Sequence, residues 1–284
     1  MIKENANAKI NLFLDVTSRR EDGFHNIKSI MQSVSLCDTL FVSATESDMT
    51  EIIIRSNSSE LLNDESNLVY CSAKKYLDNF AKNARVEITL EKKIPIGAGL
   101  GGGSADAAAT LRAMNRIFGL ATHEQLLALA AEIGSDVPFC LIGGSAVCEG
   151  KGEVMTPISF SGELNLVIAI GKDRVSTPHA YRALDELYNF EFTPDPRGDL
   201  LAHDMCCGKL SLGNFYNIFE SVISLPEISK IKDIMTKSGA ECTLMSGSGP
   251  SVFGVFADRK SAELAASGLV SEGFLAFCAN GETV

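Results

Sequence analysis

The chain has no excess of positive charge. Its 25 lysines and arginines stand against 36 aspartates and glutamates, a formal net charge of −11 over 284 residues, with a pI near 4.9. Such a surface repels nucleic acid and anionic membranes as a whole, so a phosphorylated ligand has to be held by local cations and backbone dipoles. No apolar run approaches the roughly 18 residues of a membrane-spanning helix, and the N-terminus has no basic segment leading into an apolar core. Both absences predict a cytoplasmic protein. The eight cysteines, at 37, 71, 140, 148, 206, 207, 242 and 278, form no CxxC pair and no metal-ligand spacing. Most are expected to be reduced core residues, with the adjacent Cys206 and Cys207 incidental. Internal repeats, low-complexity segments and long linkers are also missing. What remains is a chain 45% hydrophobic, ample for packed cores in two domains or one large one.

Against this background one stretch stands out, Pro95-Ile96-Gly97-Ala98-Gly99-Leu100-Gly101-Gly102-Gly103-Ser104-Ala105-Asp106, with five glycines in seven residues from Gly97 to Gly103. The composition then turns to Ala, Leu, Arg and Met, strong helix formers, with Ser104 or Asp106 expected to cap the helix or complement its positive end. A glycine loop entering a helix N-terminus offers unpaired N–H groups and a positive dipole end, which suits phosphate. A flexible linker would instead continue as polar Gly/Ser chain. The loop fits GxGxxG spacing but lacks the acidic residue about 20 positions on that a dinucleotide fold needs. It also resembles a Walker A loop with glycine in place of lysine, so the cation for the outer phosphates has to come from elsewhere.

Along the rest of the chain, Ala6 to Asp15 alternates as a strand, with Lys9 and Asn11 on one face about 7 Å apart. That face is either solvent-exposed or functional. Asp22-Gly23 marks a turn, followed by Phe24-His25, either a packed core pair or a pair that stacks on and hydrogen-bonds a heterocycle. Residues 30–56 read as a short antiparallel set of strands, and Ser66 or Asn67 as the cap of a helix running to about Phe80. Val86–Leu90 alternates as a strand into the glycine loop, with Lys92 and Lys93 at its mouth. A helix over 105–118 and another over 123–133, stopped by Gly134, lead to Asp136 in Gly-Ser-Asp-Val-Pro-Phe, a turn cap or a functional acid. In the second half, 164–170 reads as a buried strand. Thr177 is expected to cap a helix with Pro178 at its first position, and Tyr181 sits one turn in. Helices over 214–223 and 227–237 precede a second glycine turn, Met245 to Ser251, a strand over 252–256, a helix over 259–272 and a strand over 273–278.

Four motifs, at 8–14, 22–25, 95–109 and 134–139, occur in the order found in the GHMP small-molecule kinases, and the chain is identified as a member of that family. The triple glycine followed by serine, and the aromatic-histidine step at Phe24-His25, are most similar to the branch acting on a cytidine-diphosphate-linked methylerythritol. The resemblance implies an α+β, two-lobed fold: an N-terminal lobe like domain 2 of ribosomal protein S5 over 1–158, and a ferredoxin-like lobe over 159–284. It implies ATP-dependent phosphorylation of the 2-hydroxyl of that acceptor, with Lys9 and Asp136 as the catalytic pair, close in space. Asn67, Lys92, Pro95, Gly97, Gly99, Leu100, Gly101, Gly102, Gly103, Ser104 and Ala105 would bind ATP. Asn11, Phe24, His25, Thr177, Tyr181, Gly247, Ser248 and Gly249 would bind the acceptor. Phe24 replaces the family's usual tyrosine, so stacking survives without the hydroxyl, and Tyr181 would close on the base from the opposite side. Mg2+ follows from ATP chemistry, but no ligand set can be read; the serines that bind metal in some relatives fall on Gly102 and Gly103. The expected partners are small molecules only, with no nucleic acid or membrane, and the chain a monomer or weak homodimer. Homoserine- or mevalonate-type kinases and an inactive nucleotide-binding sensor are the alternatives.

Overall fold

A computed structural model describes residues 1–62 and 64–283. The chain forms two compact units, each discontinuous in sequence. The first comprises Met1–Ala8, Cys37–Ile96 and Gly101–Ile142, the second Lys9–Leu36, Gly97–Leu100 and Gly143–Val284. Two long strands, β1 (Ile2–Arg19) and β2 (His25–Glu46), run from one unit into the other.

In the first unit the outer half of β2 pairs antiparallel with β4 (Ala84–Glu91), and β3 (Glu51–Ser56) lies parallel to β4 on its other side. The short antiparallel set expected over 30–56 is therefore one 22-residue strand followed by a parallel edge. Alternation shows the faces of β2 but not its length, and no glycine or proline interrupts it to mark an end. Helix α1 (Leu68–Asn79) is capped by Asn67, whose side chain accepts from Val69 N. Helix α2 (Gly102–Phe118) packs on α1, and Tyr76 Oη donates to Asn115 Oδ1 at 2.9 Å across that contact. Helix α3 (His123–Ile133) opens with a Thr122–Gln125 capping box and ends at Gly134; the short α4 (Val137–Ile142) follows.

The cap expected from Ser104 or Asp106 does not form. Gly101, in the left-handed region at φ +69°, is the N-cap, and no side chain caps the helix. The helix begins earlier than its alanine-rich run, so both residues lie inside it.

The second unit holds the inner half of β2 against β5 (Ser145–Gly150), which pairs with β6 (Val154–Ile158). Its four-stranded sheet uses β7 (Asn165–Ile170) and three later strands. Between them come α5 (Thr177–Leu187), α6 (Arg197–Cys206), the two-residue β8 (Tyr216–Asn217) beside β1, and α7 (Pro226–Lys237). Strand β9 (Cys242–Met245), β10 (Val252–Phe256), α8 (Arg259–Ser271) and β11 (Leu275–Asn280) complete an antiparallel sheet of order β11-β7-β10-β9. Helix α7 packs on β9 and β10, and α8 on β7 and β11. This is the ferredoxin-like arrangement. Val167, Ala169, Ile231, Met235, Phe256, Ala265 and Leu269 are among the buried residues of its core.

Two expectations fail in this unit, and α6 is a helix that no reading of the sequence marks. The helix expected over 214–223 is a pair of single 3-10 turns flanking β8. Asn217 breaks it: its Oδ1 accepts from Phe219 N, and its Nδ2 donates to the carbonyls of Met245 and Gly247 at 2.7 and 2.8 Å. Thr177 is the first residue of α5, not its cap; Ser176 precedes the helix without a side-chain cap bond. The cysteines also depart from expectation. All eight are thiols outside disulfides, but only Cys140 and Cys148 are buried, and Cys206, Cys207 and Cys278 are exposed.

Candidate active site

The first unit holds the N-terminal end of α2. Strand β4 delivers Lys92 to the start of α2, where its side chain is 6% exposed and its ammonium lies between two carboxylates. Lys92 Nζ donates to Asp38 Oδ2 and, at 2.7 Å, to Asp106 Oδ2. Asp38 Oδ1 in turn accepts from the backbone N–H of Lys93 and Ile94, so one buried acid ties down the whole segment entering the loop. Burial, and the neighbouring Asp38, push the Asp106 carboxyl up to about 8 against the pull of Lys92. Its Oδ1 is buried with no hydrogen-bond partner. A side chain at Gly102 would meet Ile94 Cγ2 at 2.9 Å and Lys92 Nζ at 3.4 Å. Glycine there lets the triad lie directly behind the first turn of α2. Lys92, expected at the nucleotide, has its ammonium bonded to two acids behind the first turn of α2.

Asn67 uses both ends of its amide: besides capping α1, its Nδ2 donates to Leu62 O at 2.9 Å. Asp136 sits in the turn between α3 and α4, with its carbonyl accepting from Cys140 N. Gly103 and Ser104 lie in the first turn of α2 with Ala105, whose N–H closes on Gly101 O at 2.8 Å. Pro95 is partly buried just after β4.

The second unit, taken by itself, holds Lys9 and Asn11, which are 5% and 1% exposed, so their strand face is not a solvent-facing one. Lys9 Nζ donates to Asn11 Oδ1 at 2.8 Å, and the same oxygen accepts from Gly247 N at 3.0 Å. Asn11 Nδ2 donates to Ser29 Oγ, which donates to Phe13 O. The Lys9 backbone N–H reaches Leu100 O at 2.9 Å. The glycine turn after β9 packs on Gly97–Leu100: Ser251 N donates to Ala98 O, and Ser246 Oγ to Gly99 O. At Gly99 (φ +80°) a Cβ would stand 2.4 Å from Ser246 O, so only glycine permits the approach. Gly247 and Gly249 are also left-handed, at φ +59° and +85°. Ser248 Oγ shares a hydrogen bond with Thr177 Oγ1 at 2.8 Å, and Arg174 Nη1 lies 3.4 Å from where a Gly97 Cβ would be.

Also in this unit, Phe24 is 59% exposed, with Lys151 Nζ 5.2 Å from its ring centroid. His25 is buried; Tyr181 stacks on its imidazole at 4.7 Å, and Asp185 Oδ1 lies 2.7 Å from its Nε2. The Tyr181 ring thus rests on the histidine.

Comparison with known proteins bears on this arrangement. The profile described as GHMP kinases N terminal domain matches residues 67–144, and GHMP kinases C terminal matches 202–274. A 4-diphosphocytidyl-2-C-methyl-D-erythritol kinase of Caldicellulosiruptor saccharolyticus is 42% identical over 267 residues, 93% of this chain and 91% of that one. The chain belongs to the GHMP kinases. The Bacillus subtilis protein of the same name is also 42% identical, over 89% of this chain and 88% of its own. A crystal structure of 4-(cytidine 5'-diphospho)-2C-methyl-D-erythritol kinase superposes with TM-score 0.84 at 32% identity, covering 100% of both chains. The two-lobed α+β fold of the GHMP kinases is therefore the fold of this chain, and ATP is the phosphoryl donor their kinase activity implies.

Sequence reasoning missed Asp38, Asp185, Asn217 and Arg174, and saw Asp106 only as a cap. Only Asp185 carried a usable signal, four residues after Tyr181 and hence on the same helical face. No group of three or more His, Cys, Asp or Glu among the described residues could hold a metal ion. No helix is long and apolar enough to cross a membrane among the described residues.

Proposed function

We propose that this GHMP kinase transfers the γ-phosphoryl group of ATP to the 2-hydroxyl of 4-diphosphocytidyl-2-C-methyl-D-erythritol, giving the 2-phosphate and ADP. The observation that carries the reading is the aromatic-histidine element, exposed Phe24 beside a His25 stacked by Tyr181, in a chain whose relatives bear that enzyme's name. In this reading the exposed ring stacks on the cytosine and the imidazole meets its polar edge. Thr177, Ser248 and the glycines at 247 and 249 line the path of the acceptor, with Asn11 beside it.

ATP is assigned to the glycine loop. Gly97, Gly99, Leu100 and Gly101 present backbone along the phosphates, and Gly102, Gly103, Ser104 and Ala105 add the N-terminal amides of α2. Pro95 and the buried Lys92 hold the loop's entry; Asn67 is assigned to the adenine side. Asp136 accepts the proton of the 2-hydroxyl as its oxygen bonds to the γ-phosphorus. The bond from that phosphorus to the β–γ bridging oxygen breaks, and its electron pair leaves on ADP. Lys9, oriented by Asn11, neutralises charge building on the transferred group. Magnesium would be bound by the nucleotide's phosphates and would screen their charge.

Eight cysteines held as thiols fit a reducing cytoplasm. The proposal treats the chain as a monomer or weak homodimer with small-molecule partners, divided functionally at 158/159. ADP release measured with the cytidine-diphosphate-linked acceptor, homoserine and mevalonate tests the reading. Turnover with the first and little with the others is expected. Preference for homoserine or mevalonate would replace the substrate, and ATP binding without turnover on any acceptor would make the protein a sensor.

A further inference from the structure

The imidazole of His25 is held on three sides inside the second unit. Its Nε2 lies 2.7 Å from Asp185 Oδ1, with both side chains buried. An ionised carboxylate can only accept, so Nε2 carries the proton. Tyr181 covers one ring face at 4.7 Å, and Phe192 meets the ring edge-on at 5.9 Å. Tyr181 and Asp185 are one helical turn apart on α5, so one face of that helix supplies both the stack and the carboxylate.

The other cation near Asp185 does not account for it. Arg19 Nε is 3.8 Å from Oδ2, beyond hydrogen-bond range, and the arginine side chain is 46% exposed. The tight partner of Asp185 is the histidine. Among the described residues no hydrogen bond uses Nδ1 of that ring.

We propose that Asp185 is a positioning residue for recognition of the base: it pins the imidazole by Nε2, so that Nδ1 is the ring atom presented to the heterocycle. This rests on the reading of Phe24-His25 as the base site and adds the group that aims the ring. An unpinned imidazole flips about its terminal torsion, exchanging Nδ1 with a carbon. A pinned ring has lost that freedom before the ligand arrives, so binding costs less entropy. The polar edge of the base then meets a nitrogen at a set place.

The test uses Asp185→Ala, His25→Ala and the double variant in the full chain. Asp185→Ala is expected to raise KM for the cytidine-diphosphate-linked acceptor roughly tenfold, the scale of one charge-assisted hydrogen bond, with KM for ATP unchanged. Added to His25→Ala, it should have no further effect, because it acts through that ring. An imidazole Nε2–H proton protected from exchange should be seen by NMR in the wild-type protein and be lost in Asp185→Ala. Equal rises in both KM values, or an additive double variant, would mean that Asp185 only supports the fold. Absence of the protected proton in wild type overturns the pinning even if the variant does not fold. If His25→Ala leaves the acceptor KM unchanged, the base-site reading itself is wrong; if His25→Ala raises it and Asp185→Ala does not, only the positioning role is lost.

Discussion

Lys9 and Asn11, two residues apart on one strand, are joined by a 2.8 Å bond from the lysine ammonium to Oδ1 of the asparagine. That oxygen also anchors the backbone of Gly247, more than two hundred residues away. One amide thus orients the proposed catalytic cation and holds the second glycine turn in place.

Asn11→Ala should therefore do two things. It leaves the buried Gly247 N–H without its Oδ1 acceptor, at about 1–3 kcal/mol, and removes one partner each from Ser29 and Lys9. A loss of roughly 2–4 kcal/mol in urea unfolding is expected, together with a fall in kcat larger than any change in KM for ATP. A variant with full stability and full activity would show that the network is dispensable.

Asp136→Asn should lower kcat by roughly 10²–10⁴ with little change in either KM, as loss of a general base does. Steady-state kinetics decide it. A near wild-type rate would leave Asp136 as a turn residue and hand the chemistry to positioning alone.

The loop glycines are not equivalent. Gly99→Ala drives a Cβ to 2.4 Å from a backbone oxygen at φ +80°, whereas Gly119, at φ +65°, has nothing within 4 Å. The first substitution should cost well over 2 kcal/mol and raise KM for ATP, because backbone cannot swing aside. The second should cost only about 1 kcal/mol, the left-handed penalty itself. Thermal unfolding and ATP titration of the two variants compare them directly; equal costs would contradict the packing of Ser246 on the loop.

Asp106 carries a pH signature. Its carboxyl is raised to about 8 in the fold, from an ordinary value of 3.8, by burial and by Asp38. The folded state therefore holds a proton that the unfolded chain releases near pH 4. By linkage this group's stabilisation is full below pH 4 and is lost as pH rises toward 8. Asp106→Asn mimics the protonated acid, so its melting temperature relative to wild type should climb between pH 5 and 9. A difference that stays flat over that range would mean that Asp106 stays ionised beside Lys92.

Much of the architecture was legible because the signals are local. Asn67 caps α1 through its own Oδ1, Thr122 and Gln125 close a capping box, Gly134 ends α3, and Pro226 opens α7. Each works within a turn of its own position. The failures share the opposite property. The stretch 214–223 has helical spacing, yet Asn217 gives its amide to carbonyls 28 and 30 residues away, and those bonds outweigh a weak propensity. Spacing is equally silent on what surrounds Lys92: Asp38, 54 positions earlier, and Asp106 both accept from its ammonium.

By itself, the sequence determined the family, the glycine loop, the helix that follows it and most element boundaries. Those rest on backbone preferences and short-range caps that neighbouring residues decide. Only the tertiary structure decided which polar groups are consumed internally: Lys92 by two acids, His25 by Asp185, Asn11 by Lys9 and a distant turn. A buried charge or amide must find its partner wherever the fold brings one within hydrogen-bond reach, and that proximity is not written in the spacing of residues along the chain.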